Sequence, residues 1–173
     1  MSARAAMDDR TLYDTDIVAW AEQQAAALRL VSASPAIRSN AVDWDNLVEE
    51  IESLGRSQLR AVESKLTLIF VHLMKIVSDP DASVLPGWRA EITSFQRVVR
   101  KEFTPSMKNR LDLEEIWREA LKEAEAALFS YGASVSRKLP RSSPFTLEDL
   151  TSAEFDAQSA LDTLIKVMGA RQP

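Results

Sequence analysis

Few side chains in this sequence could do chemistry, and the first is its single histidine, His72. There is no cysteine in the 173 residues, so disulfides, thiolate metal sites and thiol nucleophiles are all excluded. A lone imidazole cannot build the two-histidine zinc motif. A di-iron bundle needs Glu-x-x-His elements, and Ile69 stands where that glutamate would be. His72 lies within the apolar run 66–74, bracketed by Lys65 and Lys75. Its spacing from Ile69 and Ile76 puts it on or beside the inner stripe of a helix. The ordinary role of such a histidine is a core-edge group hydrogen-bonded to a carboxylate or carbonyl. A single metal held by His72 with Glu49, Glu52 or Glu63 requires the chain to fold back at Gly55. A continuous helix would separate Glu49 from His72 by about 35 Å. Lys75 beside His72 is the other catalytic candidate, with no supporting spacing elsewhere. No serine sits in a strand-to-helix elbow. The candidate cluster is thus Glu49, Glu52, Glu63, His72 and Lys75, and no metal or cofactor is assigned to it.

The run Glu49-Glu50-Ile51-Glu52 invites comparison with all-helical nucleotide pyrophosphatases, whose paired carboxylates hold magnesium against a polyphosphate. Ser53 occupies the position where their third glutamate belongs. A second acidic series, Glu115, Glu119 and Glu123, has the spacing of a solvated face. Glu52, Arg56 and Arg60 form an i,i+4 ladder, a plain structural use of these charges in which the Glu52–Arg56 pair contributes about 0.3–0.5 kcal/mol. Between residues 88 and 110 the sign reverses. Arg89, Arg97, Arg100, Lys101, Lys108 and Arg110 face only Glu91 and Glu102. Arg137, Lys138 and Arg141 add a second basic cluster. Such a stripe could hold nucleic acid or an acidic partner. Pairing with the acidic helices of the same fold, or of a second copy, is the simpler use. Trp88 and Phe95 share one helical face, which suits core packing better than base stacking.

The whole chain is acidic, with 21 Lys+Arg against 26 Asp+Glu and a net charge of −5, which argues against general nucleic-acid binding. Four scattered glycines cannot form a phosphate-cradling loop or a dinucleotide fingerprint. The apolar run falls far short of the ~20 residues that span a bilayer. Residues 1–10 hold no apolar core of signal-peptide length. A soluble, cytoplasmic protein is expected.

These candidates must be held by helices. Tyr13, Ile17, Trp20, Gln24, Leu28 and Val31 recur at three- and four-residue intervals, only Gln24 breaking the apolar stripe, with Asp14 or Thr15 as cap and Pro35 as stop. Asp43 caps a second helix striped by Trp44, Leu47, Ile51 and Leu54. That stripe continues in phase through Val62, Leu66, Ile69, Leu73 and Ile76 to the stop at Asp79-Pro80. The pattern favours continuity or a bend at Gly55, at a cost of roughly 1 kcal/mol, over a break with Ser57 as a new cap. Trp88, Ile92, Phe95 and Val99 mark a further helix. Asp112, with Glu115 three residues on, reads as a capping box for a helix ending at Gly132. Residues 133–145 read as a surface loop or wrapping segment, 146–150 as a single turn, and 152–168 as a terminal helix. No alternating β pattern of useful length occurs. The fold class is all-α, a single-domain bundle of five or six helices.

The segment 43–75 carries a family resemblance in Asp43-Trp44, Glu49-Glu50-Ile51, Leu54-Gly55-Arg56-Ser57 and His72-Leu73-Met74-Lys75. Tyr13, Trp20, Trp88-Arg89 and the Ser-Pro-Phe-Thr-Leu-Glu stretch at 143–148 extend it. The chain resembles the bacterial helical proteins grouped as domain of unknown function twenty-nine, found in cyanobacteria and proteobacteria. The resemblance covers about residues 12–156. Residues 1–11, which precede the helical periodicity, read as a flexible arm, and 157–173, beyond the resemblance, as a helical extension packed on the same domain. The resemblance implies an α-helical fold, and because the family has no established activity it carries no catalytic role onto any position. The functional expectation is a protein-interaction or self-associating module, a homo-oligomer such as a dimer, rather than an enzyme. The alternatives are a metal-dependent phosphate or nucleotide hydrolase and a nucleic-acid-linked regulatory protein.

Overall fold

The computed structural model describes residues 12–170, and the expected arm over 1–11 lies outside them. Every regular element among the described residues is helical. These are α1 (Ile17–Ser32), α2 (Trp44–Ser78), α3 (Leu85–Glu102), a 3-10 turn (Pro105–Asn109), α4 (Leu113–Ser130), α5 (Leu147–Thr151) and α6 (Ala157–Gly169). None is long and apolar enough to cross a membrane. The chain forms two compact units. Among the described residues, one takes 12–61 together with Thr104–Arg110, and the other takes Val62–Phe103 with 111–170.

In the first unit, α1 is capped by Asp16 rather than by Asp14 or Thr15. An Asp16 oxygen accepts from the Ala19 amide at 3.1 Å. The buried face of α1 is Val18, Ala21 and Ala25, one position on from the Ile17 and Trp20 stripe that periodicity predicts. The reason is close approach. Helix α2 runs unbroken through Gly55, where an added Cβ would lie 3.2 Å from the Cβ of Ala21. Small side chains let the two backbones come together, and the larger Trp20 and Ile17 are displaced to the flank. Trp20 packs edge-on against Tyr13, with ring centroids 4.8 Å apart. Asp16 also accepts from the Thr104 hydroxyl at 2.9 Å, and from the Ser106 amide at 2.8 Å and hydroxyl at 2.6 Å. One carboxylate thereby starts a helix and fastens the 3-10 turn.

In the second unit, α2 is buried all round rather than along one stripe. Leu66, Ile69, Phe70, Leu73 and Met74 are fully buried, and every residue from 69 to 76 is buried. A helix segment apolar on all faces belongs at the centre of a core. Phe70 meets Trp117 of α4 edge-on at 4.9 Å and stacks on Phe145 at 5.9 Å. The Trp117 indole donates to the Pro140 carbonyl at 3.0 Å, and the Ser136 amide donates to the Ser78 hydroxyl at 2.9 Å. The segment 133–145 is therefore a wrapping strap pinned at several points. Gln96 of α3, a buried polar group, donates its amide to the carbonyls of Leu150 and Ser152 and ties α5 in place. Asp112 caps α4 as expected, but the Glu115 carboxylate pairs with Arg118. The capping box forms instead at Thr146 and Asp149 of α5. Helix α6 starts at Ala157, later than expected, because Asp156 caps it by accepting from the Ser159 amide.

Candidate functional site

The central half of α2 carries Lys65, His72 and Lys75 on one face. Helix α3 answers with Trp88, Glu91 and Phe95 at helical spacing. His72 and Lys75 are each only 8% exposed. The His72 ring stacks on Phe95 at 5.7 Å and tilts against Trp88 at 6.4 Å. The Lys75 ammonium sits 4.1 Å from the centre of the Trp88 ring, and Lys65 lies 5.1 Å over Phe95. His72 Nε2 is 3.2 Å from a Glu91 carboxylate oxygen, and its Nδ1 is buried without a hydrogen-bond partner.

These contacts decide the charge of the imidazole. Burial pushes its pKa below the ordinary value, the Lys75 charge pushes it further down, and Glu91 opposes both. The neutral ring keeps Nε2 near Glu91, at 3.2 Å, and leaves Nδ1 bare in its apolar surroundings. Protonation would put an unpaired N–H in the same apolar place, which costs more. Burial also lowers the Lys75 ammonium, again with Glu91 opposing. Cation–π contact with Trp88 supports the charge that burial penalises. The arrangement can hold a neutral histidine and a charged lysine side by side in a dry site. Two cavities of this unit, one walled by Phe145 and Phe155 and one by Ile76 and Leu161, are lined by other residues.

The structure divides the predicted carboxylate cluster. Glu49 and Glu52 belong to the first unit, where arginines engage both. Arg56 pairs with Glu49 and lies 3.9 Å from Glu52, and Arg29 of α1 reaches Glu52 at 2.7 Å. Glu63, His72 and Lys75 belong to the second. The unbroken α2 removes the fold-back at Gly55 on which a lone metal held by His72 and Glu49 depended. Among the described residues no three histidine, aspartate or glutamate side chains group as metal ligands do. The basic stripe Arg89, Arg97, Arg100 and Lys101 is exposed along α3. Lys101 lies 3.4 Å from Glu102, and Arg89 donates to the Gln158 side chain of α6. Arg110, from the same basic stretch, forms a two-pronged pair with Glu22 inside the first unit.

Sequence reasoning missed two groups. Glu91 was counted only as a stray negative charge, although its place three residues after Trp88 and four before Phe95 puts it on the face that meets His72. Asp16 was overlooked as a junction, and its one signal is an aspartate directly before the apolar periodicity begins.

The architecture so described defines an all-helical protein whose polar core is a packed aromatic and charged cluster. The chain belongs to the family described as Domain of unknown function DUF29, which matches over residues 12–156. It is also similar to an alpha-helical protein of unknown function from Rhodospirillum rubrum, known from a crystal structure. The two share 32% identity with a TM-score of 0.82, over 88% of this chain and 96% of that one. No curated protein matches the sequence. The function of the family, and of this chain, is unknown.

Proposed function

We propose that the protein is a self-associating helical module, working in the cytoplasm, and that its own second copy covers the first half of α2. The observation that carries this is the stripe Trp44, Leu47, Ile51 and Leu54. Its 3-4-3 spacing is that of a coiled-coil seam. Leu47 and Leu54 stay 38% and 36% exposed, while Val48 beside them is buried and Gly55 meets Ala21 of α1. Periodicity had placed both leucines inside. The first unit also exposes Leu30, Ile37 and Val42, more apolar surface than isolated leucines explain.

Charge points to a second copy in antiparallel register. Asp43, Asp45, Glu49 and Glu50 load the start of the segment, and Arg56 and Arg60 follow it. Reversing one copy sets acidic turns against basic ones, whereas a parallel pairing sets like against like. A cysteine-free, acidic chain suits a reducing compartment. Sedimentation equilibrium across a dilution series tests the reading. The wild type is expected to associate reversibly, and Leu47→Glu with Leu54→Glu to leave a folded monomer. A wild type that stays monomeric at every concentration overturns it.

A further inference from the structure

The largest cavity described in the second unit is a different feature from the α2 seam. It has a volume of about 400 Å³ and lies between the end of α2, the start of α3 and the length of α6. Ile76, Leu85, Leu161, Ile165 and Met168 give it an apolar wall. Ile165 remains 54% exposed, so the cavity opens to solvent beside it. Two cations, Arg89 and Lys138, also line it.

Neither cation pairs with a carboxylate among the described residues, in a chain that has a surplus of carboxylates. Arg89 is held in position nonetheless. Its guanidinium donates to the Gln158 amide oxygen at 2.5 Å, and the Gln158 amide nitrogen donates to Asp162 at 2.8 Å. That second bond fixes which way the amide faces, so the oxygen is presented to Arg89. Both cations stay exposed at the edge of the apolar wall, where an anion seated in the cavity would meet the two together. A guanidinium fork with donors to spare suits a carboxylate.

The geometry points to a binding site for an amphipathic monoanion: a carboxylate held by Arg89 and Lys138, with its aliphatic chain in the cavity. The volume accommodates a chain of about ten heavy atoms, since a water-sized group takes roughly 30 Å³. The strap 133–145 brings Lys138 to the cavity, and α3 brings Arg89. This gives one cation of the basic stripe and one of the loop cluster a common purpose.

Decanoate is the probe, measured by isothermal titration calorimetry on the full chain. One saturable site is expected, with decanol and acetate each binding at least tenfold more weakly. Arg89→Gln and Lys138→Gln should each weaken decanoate roughly tenfold, the loss of a charge-assisted contact. Ile165→Glu, a change at an exposed position, should abolish binding by placing a carboxylate at the mouth. Leu47→Glu should leave it unchanged, which separates this site from the seam. The proposal is overturned if decanoate does not bind, if decanol binds equally well, or if both cation variants retain full affinity.

Discussion

His72 is ordinary in its position and unusual in its surroundings. Its one polar partner is Glu91, its second nitrogen is unpartnered, and two aromatic rings and a lysine complete the enclosure. Because the chain has one histidine, its imidazole resonance can be followed by NMR without assignment. The midpoint of its titration should fall below 6.5, the direction in which burial and Lys75 both act. Lys75→Met should raise that midpoint by removing the repelling charge, and Glu91→Gln should lower it further. A midpoint at or above 6.5 in the wild type would show that the ring is not enclosed as described. The sequence revealed that His72 belongs at a core edge, because its spacing from Ile69 and Ile76 is local. It could not reveal Glu91 as partner, because that contact depends on how α3 lies against α2.

Helices were legible because their signals are local too. Asp43, Asp79-Pro80, Asp112 and Gly132 start and stop elements where capping and backbone geometry say they should. Which face turns inward was read less well, since a helix of small residues can be buried on a side that hydropathy ranks low. The junction of α1 and α2 is the clear case. Gly55 reads locally as a weak point in a helix. In the structure it is where Ala21 comes closest, so its lack of a side chain sets the packing distance. Gly55→Leu should therefore destabilise the protein by about 1–3 kcal/mol in urea unfolding, the cost of overpacking a close helix contact. Gly87→Ala is the control. Nothing lies within 4 Å of a Cβ there, so helix propensity alone acts and stability should hold or rise by up to about 1 kcal/mol.

At the scale of the whole molecule, several shifted groups make stability depend on pH, and one from each unit, His72 and Asp16, shows how. The His72 pKa is lower folded than unfolded, so the unfolded chain takes up a proton first. Its contribution is present above 6.5 and is lost as pH falls through the folded value. For Asp16, burial alone would raise the pKa. The bonds from Ser106, Ala19 and Thr104 together outweigh it and leave the carboxyl below its ordinary 3.8. Its contribution is present above 3.8 and disappears in stronger acid. Thermal unfolding across the acid range should show both losses. His72→Gln should flatten the first and spare the second. Asp16→Ala should cost about 2 kcal/mol at neutral pH, through loss of a helix cap and of buried hydrogen bonds.

Sequence alone determined that this chain is all helical, where most helices begin and end, and which family it belongs to. Those properties follow from hydrophobic period, capping residues and prolines, which act over a few residues. Tertiary structure decided that the Glu49 and Glu52 carboxylates are engaged by arginines, that Glu91 faces His72, and that Leu47 and Leu54 stay outside. It also decided that Arg89 and Lys138 share a cavity. The Arg29–Glu52 pair, the approach of Glu91 to His72 and the shared cavity each depend on residues far apart in the chain arriving at one place, which local spacing does not encode. Between α1 and α2, a side chain as small as that of Ala21, or absent as at Gly55, sets the packing distance without leaving a mark on the periodicity.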